Sequence, residues 1–228
     1  MLKALCILLV FSSLNLRAQL EDFGVIDFRK ADSVARSYHG ASLNNLPILA
    51  SGLTSELETE VEQFRAIYYW VCHNVQSGYG LKEINDRNRY RLKDDFEALA
   101  AWDRQFKKDL IQRLLQDKVT LCSGYAFLLR QLSQLAGIQV VIINGYGTTP
   151  DMKIQDLQSP NHAWNAVLLN GKWYLCDATW SSGYIDLQAK RFVFDFEPAY
   201  FLMAADRFAR DHQPEDKEWL LDEPEELQ

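Results

Sequence analysis

The chain has 228 residues, with 24 basic against 31 acidic side chains, a formal net charge of −7 and 48% hydrophobic residues. That apolar share supports a true core, while the acidic balance makes nucleic acid a poor partner. Four cysteines are too few for a fold stapled by disulfides, and no C-x-x-C pair suggests a metal knuckle.

Residues 1–18 open with Met1, Leu2 and Lys3, run through the apolar stretch Ala4 to Phe11 and end on small and polar residues up to Ala18. This is the pattern of a signal peptide. The apolar run is far shorter than the roughly 20 residues that cross a bilayer, and no later segment is long and uncharged enough to do so. Export is therefore expected, to the periplasm or as a secreted protein, with no membrane span. Cys6 lies inside the apolar run, which argues against lipid attachment at a mature N-terminal cysteine. Removal of residues 1–18 takes away Lys3 and Arg17, leaving 22 basic against 31 acidic residues, a charge of −9. The three remaining cysteines, Cys72, Cys122 and Cys176, are an odd number, so at least one thiol stays unpaired within a chain.

Ser55-Glu56-Leu57-Glu58 fits an S-x-x-E capping box and predicts a helix start. Leu57, Val61, Phe64, Tyr68, Val71 and Val75 then recur at helical spacing, with Gly78 and Gly80 as the expected end. Residues 81–94 read as charged and irregular. A second stripe, Phe96, Leu99, Trp102, Phe106, Leu110, Leu114 and Leu115, predicts another helix. A third runs through Tyr125, Leu128, Leu129, Leu132, Leu135 and Ala136 to a stop at Gly137, which places Cys122 at or just before a helix N-terminus. Ile138 to Ile143 suits a buried strand. The stretch Asn144 to Asn161 reads as a long loop of the kind that is usually functional.

His162 to Leu169 and Lys172 to Thr179 flank Asn170-Gly171, a strong hairpin signal. A two-residue turn sets Leu169 opposite Lys172, His162 opposite Thr179 and Trp164 opposite Asp177. Side chains alternate faces, so Asp177 shares a face with His162, and Cys176 points the other way. A helix is expected around residues 200–210, then an acidic, proline-punctuated end. Helices first and strands later predict an α+β domain with helices packed on an antiparallel sheet.

Three residues carry candidate chemistry. Cys122 would feel the positive end of its helix and a nearby imidazolium, both of which favour thiolate. His162 is a candidate base and Asp177 its orienting carboxylate. Singly each is more often structural, but together they are the parts of nucleophilic amide chemistry.

Cys122-Ser123-Gly124-Tyr125-Ala126, Asn161-His162-Ala163-Trp164-Asn165 and Trp173-Tyr174-Leu175-Cys176-Asp177-Ala178-Thr179-Trp180 resemble the three core blocks of the transglutaminase-like superfamily. Phe64 to Val71, Tyr200 to Leu202 and His212 to Leu221 resemble flanking segments of its kyphoscoliosis-peptidase-like group. The resemblance runs from about Leu53 to Leu221. It implies a papain-like α+β core, the triad Cys122, His162 and Asp177, and a protein or peptide substrate, with no cofactor or metal. The implied activity is that of a cysteine peptidase, amidase or cross-linking acyltransferase. The organisation follows: signal peptide 1–18, lead-in segment 19–52, catalytic domain 53–221 and acidic tail 222–228. Two departures concern the surroundings: Asn74 to Tyr79 lacks the aromatic-Asp pair frequent in relatives, and Ser123 stands where relatives often differ.

Competing readings are weaker. Zinc held by Cys72, His73, Cys122 and Cys176 matches no common ligand spacing. Trp164, Trp173 and Trp180 read as core, with one ring able to shield the imidazole, and His212 reads as a structural hydrogen bonder. The rival functions are a non-catalytic binding module of the same fold and a scaffold whose acidic tail docks a partner.

Overall fold

The computed structural model describes residues 22–23, 26–149, 152, 154, 157 and 159–221. The expected signal peptide and the tail 222–228 lie outside them. Two short helices, α1 (Arg29–Ser37) and α2 (Leu46–Thr54), lead into α3 (Glu60–Asn74). Ala31, Leu43, Leu49 and Leu53 share one buried cluster with Phe64, Ile67, Trp70 and Val71 of α3, so the segment before residue 53 is part of the core. Arg65 of α3 reaches Asp32 of α1 through two hydrogen bonds, of 2.7 and 3.1 Å, with aromatic rings around its guanidinium.

The capping box is one turn later than the sequence reading has it. Ser55 closes α2, its N–H bonded to Ser51 O, while Thr59 caps α3 and Glu62 reaches back to the Thr59 N–H. Both S-x-x-E and T-x-x-E occur in the sequence, and the preceding helix had already taken Ser55.

Helix α3 ends at Asn74, before the glycines. The two-residue strand β1 (Gln76–Ser77) follows, and Gly78 then begins α4 (Tyr79–Arg91). The stretch expected to be irregular is thus mostly helical. It buries none of its residues, so no apolar period marks it. Arg89 ties it down instead, bonding both oxygens of Asp103 on α5 (Phe96–Asp117) and also the Pro160 carbonyl, two residues before His162. After α5 come β2 (Val119–Thr120), parallel to β1, and α6 (Cys122–Leu135). Gly137 takes φ +82° just past α6, as its stop position requires.

Strand β3 (Val140–Gly147) extends further than expected, and β4 (His162–Leu169) and β5 (Lys172–Cys176) form the hairpin. Asn170 and Gly171 both have positive φ, and pairing runs from Leu169–Lys172 to Asn165–Cys176. The strand expected to reach Thr179 stops at Cys176, because Asp177 turns the chain into the short helix α7 (Ala178–Ser182). Hairpin β6 (Gly183–Asp186) and β7 (Arg191–Phe194) follows. The expected helix around 200–210 is a 3-10 turn at Pro198–Tyr200 and the one-turn α8 (Ala205–Phe208). Beyond it, β8 (His212–Pro214) joins the sheet.

The main sheet has the order β5-β4-β3-β8, antiparallel throughout. One face, with Val140, Val167, Leu169, Tyr174 and Cys176, packs on the helices. The other, with Ile143, Trp164, Ala166 and Leu175, is covered by Met203 and Phe208 from the C-terminal segment. This is the α+β, papain-like arrangement of helices on an antiparallel sheet. Among the described residues no helix is long and apolar enough to cross a membrane.

Candidate active site

Cys122 is the first residue of α6, and three contacts fix that helix start. The β1–β2 pairing sets Thr120 opposite Ser77, the Tyr125 hydroxyl donates to the Val75 carbonyl at 2.8 Å, and Gly124 lies against Thr120. A Cβ on Gly124 would come within 1.9 Å of Thr120 Oγ1, so the close approach needs glycine. Leu121 offers no side-chain cap. The first N–H groups of a helix have no intrahelical acceptor, so the positive end of α6 bears on the thiol.

His162 begins β4 at the edge where α6 meets the sheet. Its Nε2 lies 2.7 Å from Asp177 Oδ2. That leaves Nδ1 as the ring nitrogen open to Cys122, whose thiol lies close enough to the His162 ring and the Ala163 N–H for both to favour its ionised form. The hairpin explains the pairing of His162 with Asp177, since both belong to the face that carries Trp164 and Leu175. Asp177 reaches back as the N-cap of α7: Oδ1 accepts from the N–H groups of Thr179 at 2.7 Å and Trp180 at 3.2 Å, freeing Oδ2 for the imidazole.

The electrostatics follow from these contacts. Burial opposes ionisation of Cys122, but the hydrogen bond and charge of His162 outweigh it and hold the thiol below its ordinary value. Burial likewise disfavours charge on His162, yet the carboxylate of Asp177 and then the sulfur of Cys122 raise it to about 10. Burial would raise Asp177, but the charge and hydrogen bond of His162, with a smaller share from His212, hold it well below the carboxylate range. The pair thus favours thiolate with imidazolium. Cys72 and Cys176 are both buried and pushed up by desolvation, whereas Cys122 is partly exposed. Cys176 packs in the helix-side core, with its thiol toward the Asn165 carbonyl.

The zinc grouping considered from sequence does not assemble as such: Cys72 donates toward the Ala178 carbonyl, and His73 Nδ1 pairs with the Tyr69 carbonyl. Among the described residues, His162, Asp177 and His212 hold potential ligand atoms within 4.8 Å of one another, but here those atoms hydrogen-bond to each other. Trp180 packs at a tilt 5.3 Å from His162 and 4.4 Å from His212, and Trp164 lies 5.9 Å from His162, so indoles wall the imidazole from water. Sequence reasoning did not place His212 here. Its side chain is fully buried and its Nε2 lies 3.1 Å from Asp177 Oδ2, which agrees with a hydrogen-bonding role but puts that role inside the site. The one signal was its position in the block His212 to Leu221.

A buried imidazole–carboxylate pair, His162 and Asp177, set beside the helix that begins at Cys122 on a papain-like α+β core, is the candidate site of this fold. The sequence model of the transglutaminase-like superfamily matches residues 48–178, and the chain belongs to that superfamily. The human kyphoscoliosis peptidase is 31% identical over 214 residues, covering 92% of this chain and 28% of that protein. The mouse protein of the same name is 32% identical over 201 residues, covering 86% and 27%. Hillarin of Drosophila melanogaster is 24% identical over 211 residues, covering 86% and 23%. The chain thus spans less than a third of the length of these relatives.

Proposed function

We propose that this protein is an exported thiol enzyme that transfers acyl groups from peptide or side-chain amides. The observation that carries the reading is the His162–Asp177 hydrogen bond of 2.7 Å beside a thiol at a helix start. Cys122 thiolate attacks the amide carbonyl, and a C–S bond forms. The His162 imidazolium gives its Nδ1 proton to the leaving nitrogen as the C–N bond breaks, which leaves a thioester. Water or a second amine then loses a proton to His162, attacks the thioester carbon and expels the sulfur as thiolate, restoring the starting ion pair. A backbone N–H at the start of α6 supplies one oxyanion donor. The peptidase name of the mammalian relatives supports an amide substrate, and export rests on the sequence of residues 1–18.

The test is incubation of the purified chain with proteome-derived and cell-wall peptides, beside Cys122→Ala. New termini, deamidated glutamine or cross-links that vanish in the variant are expected. Identical product profiles for both would turn the reading toward a binding module without turnover.

A further inference from the structure

His212 is placed where the mechanism above does not use it. Both of its ring nitrogens face carboxylates: Nε2 is 3.1 Å from Asp177 Oδ2, and Nδ1 is 2.5 Å from Asp211 Oδ1. The Tyr200 hydroxyl donates to the other Asp211 oxygen at 3.0 Å. The imidazole has no exposed side-chain surface and lies among Trp164, Trp180 and Phe208, so water cannot substitute for either partner. An ionised carboxylate only accepts hydrogen bonds, so both contacts are satisfied at once only by a His212 ring that bears a proton on each nitrogen. The chain thus presents Asp177 with two imidazoles on one oxygen, at 2.7 Å from His162 and 3.1 Å from His212. Gly145 makes the placement possible. A Cβ there would lie 2.3 Å from the Gln213 carbonyl and 2.4 Å from the Trp164 ring, so a larger residue would push β8, and His212 with it, off the sheet.

We propose that His212, held by Asp211 and Tyr200, is a positioning residue that carries positive charge to the far side of Asp177 and thereby sets the working pH of the Cys122–His162 pair. This rests on the acyl-transfer reading above. A carboxylate facing one imidazole directs its whole field at that ring and, beyond it, opposes the thiolate. With a second proton-bearing imidazole on the same oxygen, Asp177 still orients His162 but bears less negative field on Cys122. The titratable groups facing His212 are Asp177 at the end of β5, Asp211 in the turn before β8, His162 on β4 and Tyr200 in the 3-10 turn; Cys122 lies beyond His162. The chain therefore reads His162–Asp177–His212–Asp211–Tyr200, alternating donors with acceptors from the buried Asp177 and His212 out to the half-buried Asp211 and Tyr200.

The experiment needs no natural substrate. The rate of Cys122 alkylation by iodoacetamide is measured against pH for the full chain and for His212→Gln, His212→Phe and Asp211→Asn, with thermal unfolding as the check on folding. His212→Gln can still donate to Asp177 but cannot be charged, so its alkylation midpoint should move up by roughly half a unit to one unit. Asp211→Asn should move it the same way by less. His212→Phe, with no donor, should add a loss of roughly tenfold or more in rate at neutral pH, partly restored in the glutamine variant. Ring 15N shifts of the unaltered protein should show protons on both His212 nitrogens. If His212→Gln and Asp211→Asn fold and keep the unaltered midpoint, the proposal is overturned, and these two decide should His212→Phe fail to fold. If instead His162→Ala leaves Cys122 alkylation unchanged, it is the triad reading that fails.

Discussion

Asp177 faces His162 with one carboxylate oxygen and caps the following helix with the other: Oδ2 is 2.7 Å from His162 Nε2, and Oδ1 accepts the Thr179 N–H at 2.7 Å. Orientation of the base and the turn that ends β5 therefore depend on one side chain, and the two roles can be separated by substitution.

Asp177→Asn keeps an oxygen for the cap but turns an NH2 group toward His162 Nε2. The ring then keeps its proton on Nδ1, the side that must accept from Cys122. Turnover should fall by roughly 10³- to 10⁴-fold in a chain that still folds, less stable by what the charge pairing of Asp177 with His162 contributes. Asp177→Ala loses the cap as well, and should in addition be less stable by about 0.5–2 kcal/mol. Unfolding curves of the two variants side by side make the distinction; equal stability would show that the cap contributes nothing.

Of Cys72, Cys122 and Cys176, iodoacetamide should label Cys122 first, because burial raises the other two thiols while His162 lowers this one. Peptide mapping by mass spectrometry gives the order. His162→Ala should slow Cys122 labelling by roughly tenfold or more at mildly acidic pH, where only a depressed thiol is ionised.

The pH dependence has a defined sign. Activity should rise as pH passes the depressed value of Cys122 and fall as His162 loses its proton at about 10, which leaves a broad plateau through neutrality. Stability follows the same shifts. The raised His162 contributes fully below its unfolded value of about 6.5 and loses that contribution as pH climbs through about 10. The depressed Asp177 contributes above its unfolded value of about 3.9 and loses it as pH falls through its lower folded value. The depressed Cys122 acts with the opposite sign and offsets His162 while the unfolded thiol is still protonated, so urea midpoints should hold level through neutrality and decline as pH approaches about 10.

Gly124→Ala should displace the start of α6, since the new Cβ meets Thr120 Oγ1 at 1.9 Å and Thr120 is itself fully buried. A loss of about 1–3 kcal/mol is expected, with slower Cys122 labelling even where the protein is folded. Thr120→Ser in the same chain should recover part of both, because the clash also involves the threonine methyl.

Local chemistry made much of this protein readable without coordinates. Asn170-Gly171 sets a register that any two-residue turn with positive φ must give, and the register puts His162 and Asp177 on one face. The stripe from Tyr125 to Leu132 marks α6 because its apolar residues are all buried. Helix α4 carried no such signal, as it buries none of its residues and Arg89 ties it to Asp103 on the next helix and to the Pro160 carbonyl. Nor could pattern show that Asp177 leaves the strand to cap α7, since both conformations keep it on the His162 side.

His212 belongs wholly to the tertiary structure. The block His212 to Leu221 marks it as part of a flanking segment but not as a neighbour of His162, from which fifty residues separate it. What brings them together is β8 adding to the edge of β3, where Gly145 leaves room for the Gln213–Pro214 backbone. The alternation of a strand is encoded residue by residue and could be read from the chain. Which distant segment completes the sheet, and so which imidazole reaches the second side of Asp177, depends on packing between parts of the chain that no local period connects.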